Sequence, residues 1–598
     1  MLAAATYLWN LTVSGWANTY YAAAAQAASQ SWSAMFFGAI DAAGFITVDK
    51  PPASLWLMGL SVRVLGLSPL AVLLPEALCG IVAVLLLWDT VRRQLGREAG
   101  LIAGVAFALT PAAVLMFRYD NPDALLTLLL VAAAWALVRG LPSGRLRWPL
   151  LAAVLVGMAF LAKYLQAYLV LPAFGVTWLV AAPGSVLRRV RVLAISTITV
   201  LVASFWWVAV VDLVPATQRP FIGGSTDNTA LDLVLGYDGL GRIFGRDSGL
   251  AGAGGPGGGP GGAGSFGGLP GVFRLLNDQW AGQIAWLLPG AVVGVVAGLV
   301  TRWHAARTDP RRAAFLLWGG WAAVHAVVFS LMGGIVHPYY AVALAPALAA
   351  LTGGGVVELW RARSRSAWVL VALGAVVVAT AVLAWQLLER TPRFWPGVGL
   401  AALALAVAAA ILFVAAAIAD ERRARGIGRI ALTGGLVAML VGPGLYSAET
   451  AGRAITGGDP SPGPVTGFGA DGFPGDAAGT TDARVAWLVA HRGGATWLVA
   501  VSSANQAGPL QLASGVPVMA MGGFMGTDPA PTLAQLQAEV RDGRLRYVLL
   551  GGPGGGPGGF FGGDGRGAVA SARTRWVTEA CRAVDDVAPS LYDCGGAA

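Results

Sequence analysis

Four short groups of ionisable and aromatic residues interrupt the long apolar stretches of this sequence. They are Asp49-Lys50-Pro51-Pro52, the run RYDNPD from Arg118 to Asp123, the isolated Lys163, and His337-Pro338-Tyr339-Tyr340. Taken singly, each has an ordinary explanation: a weak surface ion pair, a lysine whose ammonium reaches water, or a histidine bonded to backbone. Taken together, they offer cations that can hold a lipid phosphate and carboxylates that can accept a proton.

The first group ends a polar stretch, Gly15–Pro52, that lies between two apolar regions. The stretch carries too many polar residues for a segment that faces lipid. They are Asn18, Gln26, Gln30, Asp41, Asp49 and Lys50. Its alanine-rich part, Trp16–Met35, contains good helix formers and aromatic residues, which predicts a helix lying flat at the lipid headgroups. The two prolines then stop the chain, so we expect Asp49 and Lys50 in a rigid turn outside the hydrocarbon.

The overall composition indicates a polytopic membrane protein. Of the 598 residues, 56% are hydrophobic and only 12% are charged, which is about half the charged share of an ordinary soluble protein. The formal net charge is +9, but the basic residues form short clusters between apolar runs. Orientation in the bilayer explains that pattern better than a nucleic-acid partner, which we exclude.

Apolar segments predict a mainly helical protein with about thirteen spans when the short segments are included. They are Met1–Val13, Leu70–Val91, Gly100–Phe117, Ala124–Val138, a short pair at Pro149–Leu161 and Leu165–Val180, Val192–Val211, Ile284–Val300, Ala313–Leu331, Tyr339–Leu359, Val369–Leu388, Val398–Ile418 and Ile430–Leu445. Met1–Val13 is shorter than the ~20 residues that a span needs, which predicts either a half-length helix or a truncated start. We assign residues 1–446 to this membrane domain.

The arginine clusters predict the orientation in the plasma membrane. They follow alternate spans and fall on one side, which the positive-inside rule makes cytoplasmic. They are Arg92/Arg93/Arg97, Arg139/Arg145/Arg147, Arg188/Arg189/Arg191, Arg302/Arg307/Arg311/Arg312, Arg361/Arg363/Arg365 and Arg422/Arg423/Arg425. The loops 14–69 and 212–280, all four chemical groups and everything after Tyr446 are then extracytoplasmic. Within the first loop, Ala53–Leu67 must lie on the surface or re-enter, because a further span would break this parity.

The loop 212–280 contains the low-complexity run AGAGGPGGGPGGAGSFGG at Ala251–Gly268. That run has too little apolar surface to offset the entropy of ordering, which predicts disorder. Its flanks are more specific: RPFIGGSTDN at Arg219–Asn228 and LGYDGLGR at Leu235–Arg242. They either cover a site or are ordinary interfacial loops.

After Tyr446 the sequence changes to a linker, 447–479, and a domain, 480–598, in which helices alternate with strands. The predicted helices are Ala483–His491, Leu533–Asp542 and Ala570–Ala583, and the predicted strands are Thr496–Ser502, Val516–Met521 and Tyr547–Leu550. This order favours a small α/β domain with a largely parallel sheet, interrupted by a flexible insertion at Gly551–Gly567.

The three cysteines fall into two kinds. Cys79 lies inside a predicted span and is expected to be a packing residue. Cys581 and Cys594 lie in the domain placed outside, where thiols oxidise, so we predict a disulfide between them. The spacing of histidine and cysteine does not indicate a structural zinc site.

The ordered motifs of this chain resemble those of the GT-C glycosyltransferases, in the family of aminoarabinose transferases and protein O-mannosyltransferases. The likeness is greatest to the Gram-positive mannosyltransferases that carry an additional C-terminal domain. The motifs are WANTYYAAA with ITVDKPPASLW, RYDNPDALL, FLAKYLQAYLVLP, RPFIGGS with LGYDGLGR, HPYYAVALAP and PVMAMGGFMGTDP. The resemblance implies a polyprenyl-phosphate sugar as donor, used outside the membrane, and inversion at the anomeric carbon.

The resemblance also implies roles for individual residues. Lys50 corresponds to the lysine that contacts the donor phosphate, and Asp123 to the acid after the third span. Asp49 corresponds to a ligand of substrate or metal in some members, so a divalent metal ion is the one cofactor left open. One position departs from the family: Asn18 stands where many members have an acidic catalytic base, and an amide does not accept a proton.

We therefore predict a glycosyltransferase that moves a sugar from a polyprenyl-phosphate donor to a hydroxyl of a protein or cell-wall glycan. The candidates are Asp41, Asp49 and Asp123 for catalysis; Lys50, Arg118 and Lys163 for the donor phosphate; and Asn18, Tyr20, Asp120, Asn121, His337, Tyr339 and Tyr340 for substrate binding. Two alternatives remain: a transporter of lipid-linked sugars, although internal repeats are not visible, and an inactive scaffold that binds a cell-wall partner, which Asn18 would explain.

Overall fold

The computed structural model describes residues 1–240, 242, 267–364, 366–465, 478–524, 526–551 and 566–597. The helices described up to residue 452 are α1 (Leu2–Leu8), α2 (Thr19–Gln30), α3 (Trp32–Phe37), α4 (Ala53–Leu65), α5 (Pro69–Leu95), α6 (Arg97–Ala108), α7 (Pro111–Met116), α8 (Asp123–Gly140), α9 (Arg147–Lys163), α10 (Leu171–Ala181), α11 (Val186–Leu213), α12 (Ala230–Leu235), α13 (Ala281–Ile284), α14 (Leu288–Thr301), α15 (Pro310–Leu331), α16 (Ala345–Ala362), α17 (Trp368–Glu389), α18 (Val398–Ile418) and α19 (Glu421–Gly452). The predicted disorder of Ala251–Gly268 and most of the insertion Gly551–Gly567 lie outside the described residues.

Nine helices in the described ranges are long and apolar enough to cross a membrane, so the prediction of a polytopic, mainly helical membrane protein is confirmed. The count is lower than about thirteen because three predicted spans have a different form and a predicted pair is counted as one. Met1–Val13 is only the short α1, and Gly100–Phe117 is broken between α6 and α7, where Pro111 cannot donate a backbone hydrogen bond. The predicted short pair is confirmed as α9 and α10, joined by a 3₁₀ turn at Tyr164–Val170, and counts as one of the nine. Tyr339–Leu359 opens as a 3₁₀ turn before α16.

Small residues let the central helix α16 pack directly against its neighbours. A Cβ atom on Gly353 would lie 2.6 Å from the carbonyl oxygen of Ala99 in α6, and one on Gly355 would lie 2.3 Å from Cα of Gly294 in α14. Backbone contact of this kind is the usual way in which helices associate where lipid offers no hydrophobic driving force. The glycines of α16 therefore have two effects. They lower its hydropathy, and they allow it to pack inside the bundle.

The C-terminal part is a small α/β domain, as predicted. Its elements are α20 (Ala478–His491), β1 (Ala500–Val501), α21 (Ala504–Ser514), β2 (Met519–Ala520), α22 (Leu533–Arg541), β3 (Tyr547–Leu549), α23 (Arg566–Ala580), β4 (Arg582–Ala583) and β5 (Leu591–Asp593). The strand order is β2-β1-β3-β5-β4. Ala500 of β1 lies opposite Met519 and Val548 in parallel register, whereas β5 pairs antiparallel with both β3 and β4.

The expectation of a largely parallel sheet is therefore wrong, because two antiparallel strands complete it. These strands are too short to show a hydrophobic pattern, and a covalent link holds them: Cys581 precedes β4, Cys594 follows β5, and the two form a disulfide. The predicted disulfide is confirmed, and Cys79 is free and buried. Helix α21 was not predicted, because Pro509 and several polar residues interrupt the helical periodicity of its apolar residues.

Helix α2 of the first outer loop is enclosed by other parts of the protein. Six alanines of α2 are completely buried, because α4 packs on one face of this helix and α21 of the C-terminal domain packs on another. Tyr20 and Tyr21 are buried too, so these two aromatic residues do not face lipid headgroups as the sequence suggested. Alanine is what such a helix needs, since only small side chains allow close approach from two sides.

Candidate active site

The ionisable residues Asp49, Lys50, Asp123 and Lys163 lie at one end of the helical bundle, because each stands at or next to the end of a helix. Asp123 is the first residue of α8, whose last turn carries Arg139. Lys163 is the last residue of α9, which begins at Arg147. Asp49 and Lys50 lie in the turn before α4, as the two prolines predicted. The arginine clusters mark the opposite end.

Lys50 is the centre of a buried charge cluster. Its Nζ lies 2.9 Å from Oδ2 of Asp49 and 2.9 Å from Oδ1 of Asp238, a residue of the distant outer loop. Arg242 donates to the same Oδ1 of Asp238 at 2.7 Å. One carboxylate therefore holds two cations from different elements close together.

Tyr20 of α2 completes the surroundings of Asp49. The tyrosine hydroxyl donates to Oδ1 of Asp49 at 3.1 Å and accepts from the Asp49 backbone N–H at 2.9 Å. Burial disfavours the charge on this carboxylate, but Lys50 and the tyrosine hydroxyl outweigh it and hold the pKa of Asp49 below its usual value. Asp49 is therefore ionised at neutral pH.

Lys163 forms a second buried ion pair beside this cluster. Its ammonium donates to Oδ2 of Asp123 and lies 3.6 Å from the ring centroid of Tyr340, a cation–π distance. The hydroxyl of Tyr340 accepts a hydrogen bond from Arg242. Tyr340 thus links the two ion clusters.

An open-sided cleft of about 60 Å³ lies between these residues. Its lining combines charged and apolar side chains. The lining residues are Lys50, Lys163, Tyr164, Leu165, Gln166, Leu169, Asp238, Gly239, Arg242, Val328, Phe329, Met332 and Tyr340. Such a lining has the chemistry to hold an anionic headgroup beside its cations and a hydrocarbon chain beside its apolar residues.

Lys50 and Lys163 are the only lysines in the sequence, whereas 38 residues are arginine. Both lysines line this one cleft. A lysine ammonium is a compact point charge, whereas the arginine fork is planar and larger. Two lysines in this place therefore indicate a need for compact cations rather than a general need for positive charge.

The structure corrects the role expected of Arg118. Its guanidinium is buried and donates to the backbone carbonyls of Thr6, Tyr7, Trp9, Asn10 and Ala451 at 2.6–3.1 Å. It therefore satisfies the carbonyls that end α1 and α19 and does not line the cleft. The sequence places this charge on the correct side but gives no sign of those unpaired carbonyls.

The structure also separates Asp41 from the cleft. This side chain is fully buried in the first outer loop, where both of its oxygens lie 3.3 Å from the backbone N–H of Phe45. Burial raises the pKa of Asp41 to about 7, although the backbone hydrogen bonds oppose the shift. The contacts describe a carboxyl group that shapes a loop.

Three of the predicted substrate-binding residues order the loops instead. The side chain of Asn18 caps α2 by accepting from the Tyr20 N–H at 3.1 Å, and its own backbone N–H donates to Oδ1 of Asp120 at 2.8 Å. Asn121 accepts from the backbone N–H of Asp123 at 3.2 Å. Burial raises the pKa of Asp120 well above its usual value, despite the Asn18 hydrogen bond.

His337 and Tyr339 lie at the edge of the cluster. Nδ1 of His337 is 3.1 Å from Oδ1 of Asp459, and its ring stacks on Tyr339 with centroids 5.1 Å apart. Burial lowers the pKa of His337, although Asp459 opposes the shift. Asp459 belongs to the segment after the last membrane helix, so that segment reaches the site as well.

Sequence reasoning missed Asp238 and Arg242 as members of the site. Both lie in the motif LGYDGLGR, which the sequence singles out as a candidate cover for a site. Their spacing of four residues was the available signal, because a chain turn of this length brings an acid and a base together. Tyr164 and Gln166, which also line the cleft, carried no signal beyond following Lys163.

The surroundings of Asp49 do not fit a divalent metal ion. Asp49 and Asp238 both hold the Lys50 ammonium, and the described part of the chain has no group of three or more His, Cys, Asp or Glu side chains with suitable geometry. Hard cations need several oxygen ligands around one point. We therefore derive no catalytic step through a metal.

Comparisons with known proteins agree with the motifs. Residues 49–208 match the family model described as dolichyl-phosphate-mannose-protein mannosyltransferase, and residues 485–580 match the C-terminal model of the YkcB-like mannosyltransferases. The chain is 32% identical to the Bacillus subtilis protein "Putative mannosyltransferase YkcB", over 92% of this chain and 87% of that protein. This chain belongs to the YkcB-like mannosyltransferase family. It is a membrane glycosyltransferase.

Two further relatives support the assignment. The chain is 30% identical to "Putative mannosyltransferase YycA" of the same organism, over 89% of this chain and 88% of that protein. Among solved structures it is similar to ArnT from Cupriavidus metallidurans bound to undecaprenyl phosphate, with a TM-score of 0.50, 18% identity, and coverage of 87% and 84% of the two chains. The ArnT likeness shows the GT-C fold that the motifs predicted.

Proposed function

We propose that this YkcB-like family member transfers a hexose, mannose by analogy with its family, from a polyprenyl-phosphate donor to an acceptor hydroxyl. The observation that carries the proposal is the mixed lining of the cleft. Lys50, Lys163 and Arg242 supply cations, and Leu165, Leu169, Val328, Phe329 and Met332 supply apolar surface. A polyprenyl-phosphate sugar has the same two halves, and undecaprenyl phosphate is the ligand of the structurally similar ArnT.

The cations serve the leaving group. A polyprenyl monophosphate departs without being protonated, so the main demand is to stabilise the negative charge that grows on its oxygen. Lys50 and Arg242 are already held together by Asp238, and a phosphate offers them the same kind of oxygen ligand. Preorganised cations lower the barrier because they do not have to reorient during the reaction.

Asp123 is the carboxylate best placed to act as general base. Its Oδ2 accepts from Lys163, whereas its Oδ1 is buried without a hydrogen-bond partner in the described part of the chain. Both oxygens of Asp49 are engaged, by Tyr20 and by Lys50. Asp41 is bonded to the backbone of its own loop, whereas Asp123 pairs with Lys163, which lines the cleft. Asp123 would then act as the base, in place of the asparagine at position 18, which does not accept a proton.

The proposed reaction is a single displacement. The acceptor oxygen forms a bond to the anomeric carbon on the face opposite the phosphate, and its proton passes to Asp123. The bond between the anomeric carbon and the phosphate oxygen breaks, and its electron pair stays on the phosphate. The anomeric configuration inverts, and polyprenyl phosphate is released. A protein or a cell-wall glycan can supply the hydroxyl.

The first test measures polyprenyl phosphate released from labelled polyprenyl-phosphate hexoses by the purified full chain. Lys50→Ala should abolish release because the leaving group loses a cation. Asp123→Asn should reduce kcat by about 10²–10⁴-fold, the usual contribution of a general base. The matched control is Asp89→Asn, which alters a carboxylate paired with Arg92 and Arg93 at the other end of α5. Normal turnover by both Lys50→Ala and Asp123→Asn would end the proposal, and a transporter would release no polyprenyl phosphate.

The second test needs no turnover. Apart from the N-terminus, Lys50 and Lys163 are the only primary amines in the chain. Undecaprenyl phosphate should slow their acylation by an amine-reactive reagent, as read by peptide mass spectrometry, because its phosphate occupies the space between them. An equal concentration of undecaprenol, which lacks the phosphate, is the control. Equal acylation with either lipid would contradict the proposed phosphate site.

A further inference from the structure

The C-terminal domain and the first outer loop share one apolar core. Tyr20, Ile46 and Val48 of the loop belong to the same buried cluster as Val499, Val501 and Val518 of the domain. Outside the cluster, Phe45 of the loop packs edge-on against Trp497 with centroids 6.0 Å apart. A shared core makes the position of the loop depend on the position of the domain.

A glycine turn of the domain brings an aromatic ring to the tyrosine that holds Asp49. Gly522 and Gly523 both have positive φ, 80° and 65°, so the chain reverses sharply after β2 and presents Phe524. The rings of Phe524 and Tyr20 lie with centroids 4.9 Å apart. The Tyr20 hydroxyl in turn bonds both the carboxylate and the backbone of Asp49. Two side chains therefore separate the domain from Lys50.

Polar contacts fix the same elements from the same side. Nε2 of Gln511, a buried side chain of α21, donates to the carbonyls of Ala23 at 3.1 Å and Ile40 at 2.9 Å. It joins α2 to the strand-like segment that leads to Asp49. Asp528 accepts from the backbone N–H of Gly224 at 2.9 Å and so reaches the loop that also carries Asp238.

We propose that Phe524 and Gln511 are positioning residues of the active site, so that the C-terminal domain holds the first outer loop in its catalytic arrangement. Neither residue lines the cleft; each acts through Tyr20 or through the backbone of α2. This inference deepens the proposed function and depends on it only for the activity measurements. It gives the C-terminal domain a place in the chemistry of the membrane domain.

The test uses full-length Phe524→Leu and Gln511→Ala, with Phe524→Tyr as the variant that keeps the ring. Phe524→Leu should lower kcat by about 10- to 100-fold, since a displacement of ~1 Å in a catalytic group has effects of that size. Phe524→Tyr should retain most of the activity. The control Asp593→Asn removes an ion pair with Arg546 inside the domain and should leave kcat unchanged.

A readout without turnover separates this inference from the proposed function. In both positioning variants Lys50 should be acylated several-fold faster than in the wild type, because Asp49 no longer holds it firmly. Lys163, whose partner Asp123 does not depend on Tyr20, should react at its normal rate and serves as the internal reference. Unchanged Lys50 reactivity in both variants would overturn the inference whatever the activity. If the wild type shows no turnover but the reactivity of Lys50 changes in the variants, only the proposed function is contradicted.

Discussion

At the scale of single residues, this site depends on carboxylates that differ in what surrounds them. Asp49 and Asp238 share the Lys50 ammonium, and Asp123 is paired with Lys163. Asp41 has backbone N–H groups for partners and no cation. Burial raises the pKa of Asp41 to about 7, whereas at Asp49 the effect of burial is outweighed by Lys50, so that the pKa of Asp49 lies below its usual value.

The raised pKa of Asp41 predicts how the stability of an Asp41→Asn variant depends on pH. The unfolded carboxyl ionises near pH 4, but burial raises the pKa of the folded group to about 7. Between these values the folded state binds the extra proton, so stability is highest below pH 4 and falls as the pH rises towards 7. Asparagine keeps the oxygen that accepts from Phe45 and cannot ionise. The variant should therefore be more stable than the wild type at pH 8, by at most about 4 kcal/mol, and much closer to it at pH 5.

Thermal unfolding of the detergent-solubilised protein between pH 5 and 8 checks this prediction. A difference between the two proteins that does not change with pH would contradict the buried carboxyl as its source. The variant should also retain sugar transfer, because Asp41 is bonded to the backbone of its own loop. Loss of transfer would restore the catalytic role that the sequence suggested.

Residues could be assigned to the site from sequence where their neighbours along the chain were decisive. The prolines after Lys50 predicted a rigid turn, and the position of Lys163 between two short apolar segments predicted a cation facing a partner. Arg118 was misassigned because its partners, the carbonyls of Tyr7 and Ala451, are 111 and 333 residues away. Type and spacing show what a side chain can do, but not which distant group needs it.

At the scale of elements, the docking of α21 on α2 decides how the two parts of the chain meet. Gly508 of α21 lies so close to α2 that a Cβ atom there would be 2.7 Å from the carbonyl oxygen of Thr19. An alanine within a helix ordinarily stabilises it by up to about 1 kcal/mol relative to glycine. Here the backbone contact should reverse the sign, because a backbone carbonyl cannot move aside as a flexible side chain can.

Gly508→Ala should therefore lower the stability of the folded chain by about 1–3 kcal/mol, the usual cost of overpacking. The matched control is Gly175→Ala in α10, a helical glycine whose Cβ position is open. That control should be neutral or slightly stabilising. Thermal unfolding measures both, and a stabilised Gly508→Ala would show that α21 does not dock as described.

The elements themselves were largely predictable, and their packing was not. Length and hydropathy located the long helices, since a span needs a long apolar run. Hydropathy could not show that α2 is enclosed, because alanine is compatible with both a surface and a tight core. It also could not show β4 and β5, which are two and three residues long and are joined by the Cys581–Cys594 disulfide.

At the scale of the whole molecule, the charged cleft and the arginine clusters lie at opposite ends of the helical bundle. The charged cleft and the C-terminal domain lie where α8 begins and α9 ends, and the arginine clusters lie where α8 ends and α9 begins. The positive-inside rule therefore predicts that the arginines are cytoplasmic and that the cleft is extracytoplasmic. The disulfide agrees, because such bonds persist in oxidising surroundings.

Cysteine labelling of intact cells tests this orientation. In a Cys79→Ala background, which removes the free thiol and leaves the disulfide, Asp542→Cys places a thiol on the exposed end of α22 and Arg422→Cys places one at the start of α19. A membrane-impermeant maleimide should label position 542 in intact cells, whereas position 422 should be labelled only after the membrane is opened. This result is expected because the cleft lysines lie at the end of the bundle opposite to the arginine clusters. A polyprenyl-linked sugar that is used outside must bind at that end. Labelling of position 422 alone in intact cells would put the cleft in the cytoplasm, and an extracytoplasmic donor site would then be excluded.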